Sequence, residues 1–302
     1  MPRIEHPASP LVPRLQGLHL FHFDGAPCAQ RVRFALAEKG IRRGREVRFD
    51  AGDSESCAGE EGAWVSRQVS LIRKDHLTEA YALIQPNLVV PALVHDGVLH
   101  TESMDIVEYI DQRFGGEPLL PRDSDRAADV RALVALGESL HRSIRFVTFR
   151  WGLRDMGRLK PAEEEQLRRL LDGAHDGERL IEFYERYDSG TWDDGIFRGH
   201  LAALEAEFER LDRRLGDGRP FLTGASITMA DVIWCMKVLR LDECGYPFRR
   251  NYPALWTWYR RIARRPAFRE GVMGRHRAMN LAFRVKSRLE NLFGVGLRQA
   301  AA

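Results

Sequence analysis

In the first third of the chain, short apolar runs alternate with segments whose apolar residues have helical spacing. GLHLFHF (17–23) and REVRF (45–49) are predicted strands, because both are rich in aliphatic and aromatic residues. VVPALVHDGVLH (89–100) places two apolar runs around an Asp-Gly pair, which is typical of a tight β-hairpin. With predicted helices after the first strand, at about 64–84 and from Ser103 onward, the expected order is β-α-β-α-β-β-α.

Beyond this region the pattern becomes almost entirely helical. GGEPLLPRDSD (115–125) has the glycine and proline content of a linker. Helical spacing of apolar residues predicts helices over 125–151, 161–187, 196–215, 228–244 and 252–264. The predicted fold class is therefore α/β plus all-α, with a small α/β domain followed by a larger helical-bundle domain.

These patterns give a division of the whole chain. We predict a flexible tail at 1–16, an α/β domain at 17–114 with an insertion at about 51–63, a linker at 115–124, an all-helical domain at 125–273 and a basic amphipathic extension at 274–302. The extension suits a membrane surface or a partner, but we expect it to form an additional helix packed on the protein.

One capping signal stands out in ASITMADVIWCM. Thr228 and Asp231 have the spacing of a capping box, in which the carboxylate reaches back to the N–H of the first residue. This pattern predicts a structural role for Asp231 at the start of a helix rather than a catalytic one.

Composition narrows the class of protein. The chain has 302 residues and a net charge of only +3, which gives no reason to expect nucleic acid as a partner. Its four cysteines fall in no zinc-like or CxxC spacing, so we expect neither a metal site nor a disulfide framework, as in a cytoplasmic protein. No segment approaches the ~20 apolar residues of a membrane span, and we do not expect membrane association.

Three segments in this order resemble the cytosolic glutathione transferases. They are CAQRVRFALAEKG, VVPALVHDGVLHTES and FLTGASITMADV, and the resemblance covers roughly 17–273. It implies a thioredoxin-like domain that binds glutathione, a helical domain that helps bind the second substrate, and a homodimer. Details of the first and third segments are similar to the zeta-like and tetrachlorohydroquinone reductive dehalogenase branch.

The resemblance implies a set of residues for glutathione. Glu102 would pair with the ligand ammonium, and Ser103 with the N–H groups at its helix start would hold the adjacent carboxylate. In the family the bond between the residues matching Val90 and Pro91 is cis, which leaves the preceding backbone free to pair with the cysteinyl unit. His76 is the candidate for a salt bridge to the glycyl carboxylate. For each, a purely structural or surface role is the alternative.

The expected thiol chemistry centres on Cys28. Several classes of the family carry a serine or cysteine at the position matching Ala26, and alanine has no hydrogen-bond donor. Cys28 matches a second cysteine position, found in zeta-class enzymes and in the dehalogenase. A helix start with Arg31 and Arg33 nearby favours a thiolate, although a free cysteine is equally suited to packing.

The resemblance thus implies a glutathione-dependent transferase, and we expect it to act on a small aromatic electrophile. Reductive dehalogenation or deglutathionylation through Cys28 is expected first, and conjugation or ether cleavage second. HRSIRFVTFRWG (141–152) supplies aromatic rings and arginines that suit an aromatic or acidic electrophile. The alternatives are a glutathione-dependent cis-trans isomerase and a non-catalytic glutathione-binding or regulatory protein. Ala26 and the insertion at 51–63 favour the last.

Overall fold

The computed structural model describes residues 3–4, 6–172 and 177–301. The chain divides into two compact units. The first contains Met1–Phe114 and Arg158–Thr191, and the second contains Gly115–Gly157 and Trp192–Ala302. The predicted helical domain at 125–273 differs from this division, because 158–191 is grouped with the α/β region.

A six-stranded mixed sheet forms the centre of the first unit. Its strands are β1 (Arg3–Ile4), β2 (Leu18–His22), β3 (Arg42–Arg48), β4 (Ala63–Gln68), β5 (Ala92–His95) and β6 (Val98–His100). They lie in the order β1-β6-β5-β2-β4-β3. β2 and β3 are parallel to β4, whereas β5 is antiparallel to β2 and β6 is antiparallel to β5. All five residues of β2 are buried, as expected for a central strand.

The helices follow in chain order. They are α1 (Pro27–Glu38), α2 (Ser54–Cys57), α3 (Glu79–Ala82), α4 (Ser103–Arg113), α5 (Ser124–Ser139), α6 (His141–Val147), α7 (Pro161–Leu171), α8 (Gly177–Asp188), α9 (Asp194–Leu215), α10 (Met229–Glu243), α11 (Phe248–Asn251), α12 (Pro253–Ala263), α13 (Pro266–Phe268), α14 (Arg277–Leu292) and α15 (Leu297–Ala300). Short 3₁₀ turns lie at Val12–Arg14, Asp75–Leu77 and Arg154–Gly157, and π-helical turns lie at Thr148–Leu153 and Arg269–Met273.

The predicted helix over 64–84 is wrong in its first part. Ala63–Gln68 is strand β4, whose first five residues are buried between β2 and β3. Its sequence AWVSRQ combines an aromatic and a β-branched residue, which favour a strand. The rest of this stretch contains only a 3₁₀ turn at Asp75–Leu77 and the four-residue α3. The segment read as an insertion at 51–63 is the connection from β3 to β4 and contains α2.

Arg67 holds this connection from within the sheet. Its side chain is fully buried, and its guanidinium donates to the carbonyls of Phe49 at 3.1 Å and Ala51 at 2.8 Å, and to that of Ser56. Its Nε also donates to His19 Nδ1 at 3.1 Å. Burial lowers the pKa of Arg67 to about 10, which leaves the side chain charged at neutral pH.

The described part of the predicted flexible tail is packed against the first unit. Val12 and Leu15 are buried in the apolar cluster that contains Phe21, and β1 pairs with β6. The prediction of a flexible tail at 1–16 is therefore not what the structure has for residues 3–4 and 6–16. Val12 and Leu15, with Ile4 and Leu11 packed against the same cluster, anchor this segment by burying apolar surface.

The hairpin of α7 and α8 adds a second apolar cluster to the first unit. Leu159, Leu167 and Leu171 pack with Leu77 and Leu88, which come from the loop region after β4. Burying these leucines gives 158–191 its place in the first unit, because each fully buried leucine contributes roughly 1.5–3 kcal/mol.

The second unit is built around α10. All but one of its fifteen residues are buried, and α10 begins with the predicted capping box. Asp231 accepts from the N–H groups of Thr228 at 2.8 Å and Leu222 at 2.9 Å and from Trp258 Nε1 at 2.8 Å. The carboxylate thus joins the start of α10, the segment before it and α12.

Candidate functional site

Strand register brings the predicted site segments to one edge of the sheet. Phe21, near the end of β2, lies opposite Ala92 at the start of β5, and Leu93 lies opposite His100 at the end of β6. His22, the last residue of β2, lies opposite Gln68, the last residue of β4. The segments that leave or enter the sheet at this edge therefore carry, in turn, Cys28, His76, Val90–Pro91 and Glu102–Ser103.

The two helices that begin at this edge run side by side in the same direction. Arg31 Nη1 of α1 donates to Ser103 Oγ of α4 at 3.0 Å. Eight residues further along each segment, Lys39 Nζ contacts Asp111 Oδ1 at 2.6 Å, with both side chains almost fully buried. Equal steps along both helices require parallel axes, so the N-termini of α1 and α4 lie at the same end. Both helix dipoles therefore favour anionic groups there.

Ser103 is the first residue of α4, and its side chain is largely buried. Glu102 precedes it as the N-cap residue, with φ 61° and an exposed side chain. This conformation leaves the start of α4 without a side-chain cap from Glu102. The N–H groups of the first turn and the Ser103 hydroxyl suit a ligand carboxylate, and the exposed Glu102 carboxylate suits an ammonium group.

Val90 and Pro91 precede β5 directly. Their peptide bond is cis, as the resemblance implied. Tyr81 OH donates to the carbonyl of Val89 at 2.7 Å, which fixes the segment before this bond. Tyr81 is fully buried and serves as a structural anchor of the site.

Cys28 is the second residue of α1 and is half-buried. Cys57, Cys235 and Cys244 are buried, and none of the four forms a disulfide. Cys28 lies three residues before Arg31, which places both on one face of α1. Because Arg31 contacts Ser103, this face of α1 is the one directed toward α4.

Ala26 is the N-cap residue of α1 and belongs to the apolar cluster of the first unit. It offers no side-chain hydrogen bond, so any activation of a bound thiol at this edge must come from backbone N–H groups or from other side chains.

Arg33 differs from the role that sequence proximity suggested. Its guanidinium is buried and donates to His22 Nδ1 at 3.1 Å, to the carbonyl of Phe23 at 3.2 Å and to that of Asp24 at 2.8 Å. Burial lowers its pKa to about 10, and the nearby Asp24 carboxylate opposes this shift. Arg33 therefore fixes the loop between β2 and α1.

Arg31 is the residue whose position the sequence did not predict. Its side chain is buried and donates to the Ser103 hydroxyl, and its buried Nε has no hydrogen-bond partner among the described residues. The RVR triplet in α1 marks two arginines, but the sequence gives no indication that one faces α4 and the other the loop. The buried Arg31 guanidinium, which is incompletely hydrogen-bonded and lies beside Ser103, adds positive charge to the candidate carboxylate site.

His76 lies in the 3₁₀ turn Asp75–Leu77. Burial and, to a smaller extent, the neighbouring Lys74 charge lower its pKa to about 4, although the Asp75 carboxylate opposes this shift. Its buried Nδ1 has no hydrogen-bond partner within the described part of the chain. A neutral imidazole offers a hydrogen bond to a carboxylate but not the charge that the predicted salt bridge requires.

The aromatic rings of 141–152 belong to the core of the second unit. Phe146 is fully buried and packs against His200 and Trp192, with ring centroids at 4.1 and 5.0 Å. Trp151 is also buried. Their predicted use in binding an aromatic electrophile remains a prediction.

Two further properties concern the described residues as a whole. No group of three or more His, Cys, Asp or Glu side chains in 3–4, 6–172 and 177–301 could hold a metal ion. None of the described helices is both long enough and apolar enough to cross a bilayer.

The fold and this edge define a thioredoxin-like domain followed by a helical domain. Residues 20–118 match the family described as glutathione S-transferase, N-terminal domain, and residues 164–261 match glutathione S-transferase, C-terminal domain. Together the two matches cover about two thirds of the chain. The chain belongs to the glutathione S-transferase family.

Individual relatives place the chain within that family. It is 32% identical to glutathione S-transferase 1 of Dianthus caryophyllus, across 37% of this chain and 42% of that protein. It is 27% identical to a 2,5-dichlorohydroquinone reductive dechlorinase of Sphingobium indicum, across 84% and 82% of the two chains. The chain spans about half the length of the plant glutathione S-transferases it matches.

Solved structures share the fold. The β-etherase LigF from Sphingobium sp. strain SYK-6 superposes with a TM-score of 0.69 at 20% identity, covering 84% of this chain and 98% of that one. A theta-class glutathione S-transferase from Xanthomonas axonopodis pv. citri, solved with glutathione bound, gives a TM-score of 0.60 at 20% identity, covering 85% and 97%.

Proposed function

We propose that this protein is a glutathione-dependent transferase that acts on a small aromatic electrophile, with Cys28 as a thiol nucleophile. The observation that carries the proposal is the parallel arrangement of α1 and α4, since it places Cys28 and Ser103 at the same end of two adjacent helices. Glu102 and Ser103 would hold the γ-glutamyl end of glutathione, and the Val90 backbone would pair with its cysteinyl unit.

The site's own groups suit the first chemical step. The N–H groups at the start of α1 favour the thiolate of glutathione, whose proton passes to solvent. The thiolate attacks a chlorinated hydroquinone carbon, a C–S bond forms, and chloride leaves with the C–Cl electron pair. No side chain at Ala26 is available for this activation.

Cys28 would carry the reductive step. Its thiolate attacks the glutathionyl sulfur and forms a mixed disulfide, while the aromatic carbon keeps the C–S electron pair and takes a proton from solvent. A second glutathione thiolate then attacks the mixed disulfide, releasing oxidised glutathione and restoring the Cys28 thiolate. Overall, two glutathiones are oxidised, and one C–Cl bond becomes C–H with release of HCl.

The dechlorinase of Sphingobium indicum supports dehalogenation as the first reaction, because its alignment spans most of both chains. An isomerase is the second candidate, since maleylpyruvate isomerase from Ralstonia sp. is 34% identical over 39% of this chain. Isomerisation would not consume glutathione, so the two reactions differ in whether oxidised glutathione accumulates.

The test is turnover of 2,5-dichlorohydroquinone with reduced glutathione, comparing wild type with Cys28→Ser. We expect wild type to release chloride and oxidised glutathione together. The serine variant should form the glutathionyl adduct but lose at least about 100-fold in release of the dechlorinated product, because a hydroxyl is a poor substitute for a thiolate nucleophile.

Cys57→Ala is the matched control, since Cys57 is a buried thiol of the same unit, in α2. It should keep the wild-type ratio of product to adduct. Equal product release by wild type and Cys28→Ser would exclude the mixed-disulfide route. Turnover of maleylpyruvate without oxidation of glutathione would favour the isomerase instead.

The homodimer and the cytoplasmic location implied by the family belong to the same proposal. Light scattering on the purified full chain tests the first, and cell fractionation tests the second.

A further inference from the structure

α14 is attached to the second unit by its polar side. Its inward contacts are Asn280 to Glu243 at 2.7 Å, Arg284 to Asp242, Lys286 to the carbonyl of Gly152 at 3.0 Å, and Asn291 to the carbonyl of Gly245 at 3.4 Å. Ser287, on the same side, is buried. These polar groups take the place that apolar residues occupy in most surface helices.

Met279 and Phe283 of α14 are half-buried, whereas four other apolar residues of α14 and its C-cap residue Phe293 face outward. Their exposed fractions are Leu281 64%, Val285 49%, Leu289 52%, Leu292 79% and Phe293 76%. The spacing of four, four and three residues from Leu281 to Leu292 places them on one stripe along the helix. A continuous apolar stripe of this kind marks a surface that contacts something apolar.

Basic residues accompany this stripe. Residues 271–302 contain six lysines and arginines, and Glu290 is their only acidic residue. Glu290 is engaged with Lys286 and Arg154. Arg277 and Arg288 lie beside the stripe and are exposed, and no carboxylate of the described residues pairs with either. An apolar stripe with a basic edge complements a layer that is apolar inside and anionic at its surface.

We propose that the outward face of α14 binds the surface of an anionic lipid bilayer, with the helix lying parallel to the membrane plane. Leu281, Val285, Leu289, Leu292 and Phe293 would enter the acyl boundary, while Arg277 and Arg288 would contact lipid phosphates. The bilayer would add an attachment that does not depend on the proposed glutathione chemistry.

The charge beside the stripe favours a bilayer over a second copy of the chain as its binding partner. A two-fold contact between antiparallel copies of α14 would place the same stripe on both partners and bring their arginine edges together. The exposed part of α14 contains no acidic residue to compensate for this repulsion. An anionic bilayer supplies the missing negative charge.

The test is flotation of the full chain with vesicles of phosphatidylcholine and phosphatidylglycerol at about 3:1, compared with phosphatidylcholine alone. We expect wild type to partition at least about 10-fold more strongly into the anionic vesicles, and salt to weaken this binding. Leu281→Ser with Leu289→Ser should reduce the partition at least about 10-fold, since both leucines would leave the acyl boundary. Arg277→Gln with Arg288→Gln should reduce it several-fold.

Matched controls use exposed residues away from the stripe. Ile72→Ser removes an apolar side chain that is 72% exposed, and Arg249→Gln with Arg250→Gln removes two exposed charges on α11. Both should bind like wild type. Absence of wild-type binding to the anionic vesicles overturns the proposal, as does binding that the leucine variant retains. A wild-type dimer that the leucine variant dissociates, without lipid binding, would instead assign the stripe to a second copy.

Discussion

At the scale of single residues, side chains of the same type have different environments, and the site depends on these differences. Arg31 and Arg33 are two positions apart on α1, yet one contacts Ser103 and the other fixes the loop before the helix. Cys28 is half-buried, whereas burial raises the pKa of the Cys244 thiol to about 12. These differences support the roles proposed for Cys28 and Ser103.

Thiol accessibility provides a direct check on Cys28. Iodoacetamide should alkylate Cys28 in the native protein at least about 10-fold faster than Cys57, Cys235 or Cys244, because only accessible thiolates react readily. Peptide mass spectrometry after timed quenching gives the four rates. Saturating S-methylglutathione should slow labelling of Cys28. Equal rates at Cys28 and Cys57 would show that Cys28 is a packing residue.

The neutral state of His76 predicts how glutathione affinity responds to pH. With a folded pKa of about 4, its imidazole stays uncharged from about pH 8 to pH 5.5. The ratio of glutathione dissociation constants for His76→Gln and wild type should therefore stay constant over this range. Calorimetry at several pH values measures it. If wild type gained affinity over the variant as the pH fell, an imidazolium would be forming and the salt bridge would be correct.

At the scale of elements, some features follow from the local sequence pattern, whereas others are determined by their position in the fold. The capping box at the start of α10 was readable from the sequence because both partners lie within four residues. The strand β4 was not, because only its place between β2 and β3 distinguishes a buried strand from a helix of similar apolar content. The contacts of Asp231 with Leu222 and Trp258 also required the tertiary structure.

Removing the Asp231 carboxylate should destabilise the second unit strongly. Asp231→Ala leaves several buried donors without an acceptor, at about 1–3 kcal/mol each, so we expect a loss of roughly 3 kcal/mol or more. Urea unfolding followed by tryptophan fluorescence measures this loss, since Trp234 and Trp258 are buried in this unit. Asp125→Ala, an exposed carboxylate at the start of α5, is the control. Equal unfolding midpoints for the two variants would contradict a structural role for Asp231.

At the scale of the whole molecule, the sequence indicated the two kinds of domain but not the course of the chain between them. The α7–α8 hairpin is helical, as its pattern predicted, but leucines from both halves of the first unit make it part of the α/β region. For the N-terminal segment and for α14, too, the sequence pattern did not predict how the segment packs on the rest of the chain. Amphipathic patterns identified a helix at α14 but not that its polar side faces the protein.

The candidate site was predicted to a greater extent, because its residues lie in short motifs. Cys28, Glu102 and Ser103 lie at helix starts that follow strands, and Val90 and Pro91 directly precede β5. Their approximate placement therefore followed from element order. The roles of Arg31 and of the neutral His76 depend on burial, which no local motif records.

The most direct measurement is calorimetric titration of wild type, Ser103→Ala and Ser124→Ala with reduced glutathione. Ser124 opens α5 as Ser103 opens α4, so its variant controls for loss of a serine at a helix start. We predict binding by wild type and Ser124→Ala, and affinity at least about 10-fold weaker for Ser103→Ala, because a hydrogen bond to a charged carboxylate is lost. Absence of binding by wild type at millimolar glutathione, or equal affinity of all three proteins, would contradict a glutathione site at the start of α4.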